Sequence, residues 1–349
     1  MSRTTRTTTK RSARKTTQTP KRALVLNDSL HAMPLDEAYQ VFLDLDAEWS
    51  LIPDGHEDQL HSDWDTVVRA CGSLGIDTVH GLLTQLPAFL TATTGIENVT
   101  EYHTGADQAL LHRTRNAALT VAVATAPNHD PAAILETTRK TLRARTSLPA
   151  RALVDDEITL LRTVAAVTAS GTPTSQRAAV YALCDAGMLS SETTSADVSD
   201  IDGPIHEPTA ILASGTTSGR VIDRLVPLEA FHRRALGPTI AAATARGPKT
   251  LLTYKPAKNQ PGTFAAAASA NAIIGRLLAD CGLAHTDTTP ASLHRWRITT
   301  TWHTYGPAVA MELGGRADLE ATRRHACISL EPTPTTSGAD ADNFMDYAA

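Results

Sequence analysis

Asp185-Ala-Gly-Met-Leu-Ser-Ser-Glu192, followed closely by Val198-Ser-Asp-Ile-Asp202, is the stretch on which the fold turns. The run from about Ser175 to Ala186 is a helix former, and Gly187 stands where a helix commonly ends, because glycine takes the left-handed conformation without a Cβ penalty. Beyond it the texture changes to short β-type runs. Ala196–Asp202, Ala210-Ile-Leu-Ala213 and Val221–Leu228 read as strands, with Gly215 and Gly219 in the last connecting loop. Helical patterns return at about 229–246, 265–282, 291–304, 306–314 and 318–327. The expected architecture is therefore mostly α with a small antiparallel sheet, an α+β arrangement.

Upstream, Ala152-Leu-Val-Asp-Asp-Glu157 opens a helix whose first-turn acids suit the positive end of the helix dipole. Residues 24–54 carry Leu35, Ala38, Tyr39, Phe42 and Leu43 at threes and fours after Pro34, which predicts an amphipathic helix. Further helices are expected at about 58–71, 77–93, 105–124 and 131–146, punctuated by Gly72, Gly75, Gly95, Pro127 and Pro131. Four segments follow: a basic tail at 1–23, a helical domain at 24–146, a second domain at 152–330 and a second tail at 331–349. The first tail has almost nothing apolar to bury and the second is rich in Thr, Pro, Asp and Ala, so both are expected to be disordered.

Charge is distributed unevenly. Arg3, Arg6, Lys10, Arg11, Arg14, Lys15, Lys21 and Arg22 all precede the first acid, Asp28. The net charge of −5 minus those eight positive charges leaves −13 for the remainder. A basic tail on an acidic body suits phosphate contact, each neutralised phosphate adding about −0.9 to the salt slope of affinity. Composition, 42% hydrophobic and 20% charged, excludes a fibre and a wholly disordered chain. Cys71, Cys184, Cys281 and Cys327 form no C-x-x-C pair, so neither a zinc knuckle nor a disulfide framework is indicated. His56, His61 and His80 lack metal-site spacing and no loop cradles a nucleotide phosphate, so no metal and no cofactor is expected. With no long apolar run and no leader pattern, a cytoplasmic protein without membrane contact is expected.

In their order, the Ala152–Glu157 opening, the Arg177-Ala-Ala-Val-Tyr-Ala-Leu183 helix, the Asp185–Glu192 turn and Val198–Asp202 resemble the start of a tyrosine recombinase (phage-type integrase) catalytic domain. Arg224-Leu-Val-Pro-Leu228 is similar to the end of that family's sheet, and Asp318-Leu-Glu-Ala-Thr-Arg-Arg-His325 to its last helical motif. The resemblance covers about 152–330 and implies a two-domain clamp around duplex DNA, the helical region before it forming the other jaw.

The resemblance also implies chemistry: attack of a tyrosine oxygen on phosphorus, through an anionic transition state that needs fixed cationic donors. Against that pattern this chain departs repeatedly. The first arginine position holds Leu189, which has no donor, and loss of one such contact typically lowers rate about 10²- to 10³-fold. The sheet turn has no lysine, although Arg220 or Arg224 places a charge nearby; a solvated strand edge is the plain alternative for Arg224. His294 and Arg297 match an H-x-x-R element on one helix face, and with Arg295 they read as a phosphate-gripping surface or else a solvated one. Arg316 falls in a histidine slot, and the nucleophile position falls on His325. Tyr347 is a displaced alternative nucleophile, whereas Tyr305 next to Gly306 reads as a helix-end packing residue.

Three functions follow from these readings. The first is a DNA-binding pseudoenzyme of the recombinase fold, accessory or regulatory in recombination or integration on a mobile element. It would contact double-stranded DNA through Arg220, Arg224, His294, Arg295, Arg297, Arg316, Arg323, Arg324 and, in the tail, Lys10, Arg11, Arg14 and Lys15. An active recombinase or further copies of itself would be its partners on DNA. The second is an active, divergent site-specific recombinase using Tyr347 or a partner's tyrosine. The third is a protein interaction module that kept the fold and gave up DNA.

Overall fold

The computed structural model describes residues 33–95, 106–125, 150–171, 176–214, 222–255, 259–284, 287–326 and 328. The expected helix at 131–146 and both tails, with Lys10, Arg11, Arg14, Lys15 and Tyr347, lie outside the described residues, as does Arg220.

Five helices come first: α1 (Leu35–Trp49), α2 (Glu57–Leu74), α3 (Val79–Thr84), α4 (Leu86–Thr94) and α5 (Ala106–Ala124). The single helix expected at 77–93 is two, broken at Gln85. Pro87 explains the break, since its ring lacks an N–H and clashes with the carbonyl four residues back. α5 is buried on every side from Thr114 to Thr125, packing against α1, α2 and α4 on one flank and α6 (Asp155–Gly171) on the other. Ala117, Ala118 and Ala122 on α5 and Ala165 and Ala166 on α6 are all buried, small side chains suited to close packing of the two helices. One buried apolar cluster consequently runs from Leu35 to Ile328.

Polar groups bolt the same seam. Arg115, wholly buried, donates to Asn116 Oδ1 at 2.9 Å and to the Cys281 carbonyl at 3.3 Å. Asn116 Nδ2 donates to Asp156 Oδ2 at 2.7 Å. Burial, reinforced by the neighbouring Glu157 charge, pushes the Asp156 carboxyl up to about 7.

Next come α7 (Gln176–Ala186) and the short α8 (Glu192–Ser195), then β1 (Ile201–Asp202), β2 (Ala210–Ala213) and β3 (Arg224–Pro227). The strands form an antiparallel sheet in sequence order, with Ile211 facing Ile201 on one side and Val226 on the other. β1 is shorter than expected because Val198–Asp200 is a 3-10 turn closed by a capping box from Asp197 and Asp200. Asp and Ser side chains offer the backbone these local hydrogen bonds in competition with a ladder. The last helices are α9 (Ala230–Thr244), α10 (Phe264–Asp280), α11 (Pro290–Tyr305), α12 (Pro307–Leu313) and α13 (Leu319–Ala326). The mostly helical fold with a small antiparallel sheet is the architecture expected from the sequence. No helix among the described residues is long and apolar enough to cross a membrane.

Candidate functional site

α7 ends in a turn at Gly187, whose φ of 118° is one that a side chain resists. A Cβ there would only touch the Arg297 and Leu313 side chains at about van der Waals distance, so the constraint is the backbone conformation. The turn presents Leu189 to Glu192 to the end of the sheet. Glu192 is 1% exposed and accepts from the Leu189 amide at 2.7 Å, from Arg224 Nη1 at 2.7 Å and from Arg224 Nη2 at 3.1 Å. The same guanidinium donates through Nη2 to the Gly187 carbonyl at 3.0 Å and through Nε to the Leu313 carbonyl. Arg224 is thus neither on a solvated strand edge nor facing an open groove. It is a brace tying α7, α8, β3 and α12 together, and Glu192 starts its helix in the interior, not on the surface.

A second buried network lies on the other side of the Gly187 turn. Asp185, fully buried, accepts from Arg162 Nε at 2.9 Å and lies 2.9 Å from His232 Nε2. Burial alone would raise this carboxyl, but the Arg162 charge and the His232 hydrogen bond outweigh it and hold it below the ordinary range. His232 Nδ1 accepts from the Glu229 amide at 2.9 Å, so Nε2 carries the proton and the ring is neutral. Its pKa is lowered accordingly, burial prevailing over Asp185. Arg162 packs over the rings of Phe231 at 5.0 Å and Trp296 at 5.7 Å. Arg297, from α11, reaches Glu229 at the head of α9. Like Arg224, it is paired with a carboxylate inside the fold.

The third group is differently placed. His294 Nδ1 on α11 lies 2.8 Å from His325 Nε2 on α13, and His325 Nδ1 lies 3.3 Å from Arg316 Nη2. Since guanidinium only donates, His325 accepts at Nδ1, donates from Nε2, and leaves His294 with its proton on Nε2. Arg295 Nε donates to the His325 carbonyl at 3.0 Å. Burial, then the charges of Arg316 and Arg295, bring the His325 pKa down to about 4; burial, His325 and the surrounding arginines lower that of His294 well below its usual value. Three buried donor atoms in this cluster, His294 Nε2, Arg295 Nη1 and Arg316 Nε, have no acceptor among the described residues.

His294 also lines a cleft of about 320 Å³ with Met188, Leu189, Ser190, Phe264 and Asn271. Leu189 contributes only apolar surface there.

The cations expected to face DNA therefore fall into separate sets. Arg224 and Arg297 are 5% and 9% exposed and paired internally, while His294, Arg295 and Arg316 gather around His325. Arg323 pairs with Glu320 at 2.8 Å, and Arg324 is largely exposed. Tyr305 is 69% exposed, so it does not pack the helix end as its position suggested. The network of Arg162, Asp185, Glu229 and His232 went unread in the sequence. Its one signal was Asp185 itself, an acid in the last turn of a helix, where the dipole disfavours it unless a cation is present. Among the described residues no group of three His, Cys, Asp or Glu could hold a metal ion.

Among solved structures, the chain is similar to XerA recombinase, with 14% identity over 84% of this chain and 94% of that one and a TM-score of 0.41. It is also similar to lambda integrase in a dimer bound to a COC′ core site, with 14% identity over 79% and 72% of the two chains and a TM-score of 0.38. The Tn1549 transposon integrase in complex with a circular intermediate DNA matches with 13% identity over 82% and 94% and a TM-score of 0.37. No protein-family model matches the chain, and no curated protein does. At this level of likeness only the chain's own residues can carry a functional reading.

Proposed function

We propose that this chain is a duplex-DNA-binding protein on a recombinase-like scaffold that grips the phosphate backbone without cutting it, in an accessory or regulatory role beside an active recombinase or other copies of itself. The observation that carries the reading is the set of orphaned donors on His294, Arg295 and Arg316. Buried N–H groups without acceptors are costly, about 1–3 kcal/mol each and more when charged, so a cluster of them suits a ligand rich in acceptors and negative charge. A phosphodiester oxygen is such a ligand, and the largely exposed Arg324, next to His325 in the chain, adds positive charge.

Strand cleavage fits this arrangement poorly. Arg224 and Arg297 hold internal carboxylates, Leu189 has no donor to give, and both ring nitrogens of His325 are engaged. A histidine whose lone pair already accepts from Arg316 is not poised to attack phosphorus.

The test is a gel-shift titration of the full chain on a mixed-sequence duplex across a range of salt. Binding should weaken linearly in log–log form, and Arg316→Gln should reduce the slope by about 0.9. Absence of any salt-dependent binding to any duplex overturns the reading.

A further inference from the structure

From Ala230 to Ala279 the chain contains no acid, yet it carries Arg233, Arg234, Arg246, Lys249, Lys255, Lys258 and Arg276. That run stands out in a body whose remaining charge is strongly negative. The fold gathers part of it at one place. Arg246, Lys249 and Lys255 line a cleft of about 500 Å³ between the C-terminal end of α9, the segment that follows it and the N-terminal end of α7, and none of its lining residues is acidic. α7 and α9 pack side by side, with Asp185 against His232 at one end and Gln176 in the cleft with Thr239 at the other. Eleven residues of α7, at about 1.5 Å each, separate the cleft from the Gly187 turn by roughly 16 Å. The cleft is therefore distinct from the site above.

The three cations are incompletely neutralised. Lys249 donates to Ser199 Oγ at 2.9 Å and has Asp197 at 3.8 Å, while its side chain stays 82% exposed. Arg246, just past the end of α9, donates through Nε to the Ala242 carbonyl and pairs with no carboxylate among the described residues. A second, independent feature points the same way. Thr239 lines the cleft and is 8% exposed, and its hydroxyl is buried with no partner among the described residues. Buried hydroxyls are normally satisfied, so an unfilled one beside three cations marks a place for an acceptor-bearing ligand. Gln176 does not fill it, since its Nε2 donates to the Thr253 carbonyl.

From this geometry we infer that the α7–α9 cleft is a second phosphate-binding site, recognising a phosphate group by Arg246, Lys249 and Lys255 with the Thr239 hydroxyl at its floor. The inference does not depend on the proposed DNA grip at His294 and Arg316. A phosphate can reach the cleft from a flanking duplex backbone or as a free phosphorylated molecule, and these sources are separable.

The experiment is calorimetric titration of the full chain with pyrophosphate and, separately, with a short duplex, using wild type, Lys255→Gln, Arg246→Gln and Thr239→Val. Each variant should weaken the cognate ligand about tenfold, the scale of one charge-assisted hydrogen bond. Thr239→Val should do so without lowering the urea midpoint, because it removes a hydroxyl that stabilises nothing in the free protein. Pyrophosphate binding lost in the variants, with duplex affinity unchanged, identifies a free phosphorylated ligand. Duplex affinity and salt slope reduced, with pyrophosphate silent, identifies the backbone. Wild-type affinity for both ligands in all three variants, or no binding of either ligand by wild type, overturns the inference. Pyrophosphate binding that persists when no duplex binds would sink the DNA reading alone.

Discussion

Glu192→Ala removes one member of a buried ion pair whose side chains are 3% and 1% exposed. Deleting one partner of such a pair typically costs about 3–5 kcal/mol, because the other charge stays in the interior uncompensated. Here the Arg224 guanidinium would keep only the Gly187 and Leu313 carbonyls, and the Leu189 amide would lose its acceptor. Against a domain stability of about 5–15 kcal/mol the loss is large, and with an m-value near 3 kcal/mol/M it moves the urea midpoint down by about 1 M or more. Urea unfolding followed by far-UV circular dichroism on wild type, Glu192→Ala, Arg224→Ala and the double variant gives the coupling energy, expected at about 2–3 kcal/mol. The same proteins should show an unchanged salt slope for duplex binding wherever they remain folded, since Arg224 faces no ligand. A coupling energy below about 0.5 kcal/mol, or a slope reduced by about 0.9 on loss of Arg224, would refute the assignment of Arg224 as an internal brace.

The remaining expectations concern pH and backbone. Asp156, raised to about 7, favours its neutral form in the fold, so its contribution is complete below the ordinary carboxylate range and is lost as pH rises through about 7. Asp156→Asn keeps an acceptor for Asn116 and should stabilise the chain at pH 8 by about 2–4 kcal/mol over wild type, with little gain at pH 4; equal gain at both would contradict the cause given. His325 and His294 behave oppositely to Asp156. Both are neutral in the fold and lowered, so stability is complete above about 6.5 and falls as pH drops, by up to about 1.4 kcal/mol per pH unit for each ring, His325's share being lost by about pH 4. His325→Gln should remove one ring's share of that slope in acid titrations of the urea midpoint, and an unaltered slope would show the ring to be free to protonate. Gly282 has φ 66°, and a Cβ there would collide with the buried Arg115 Nη2. Gly282→Ala should cost about 1–3 kcal/mol by thermal unfolding, and a neutral result would mean that Arg115 is not held at this seam.

The helices and the small sheet were legible because their signals are local. Leu35, Ala38 and Phe42 show the helical period, and Gly187 ends α7 for a reason visible in one residue. Pro87 was equally visible and explains the break between α3 and α4. The disposition of the charges was not legible. α11 is buried at Leu293, His294, Trp296, Arg297, Ile298 and Thr301, around most of its circumference, so the spacing that puts His294 and Arg297 on one phosphate-gripping or solvated face does not reveal that both are buried and Arg295 half-buried. Whether Arg224 meets phosphate or Glu192 depends on a contact 32 residues away in sequence, and no period or spacing encodes it. The same holds for Asp185 and Arg162, whose partnership the sequence marks only by an acid at a helix end.

The central claim is a grip on duplex phosphates without strand breakage, and it is tested most directly by denaturing electrophoresis of the full chain bound to a library of nicked, end-labelled duplexes. Complexes seen on a native gel should dissociate completely in detergent, leaving intact DNA and free protein. A detergent-resistant adduct, lost on substitution of Tyr347, Tyr305 or His325, would contradict the account.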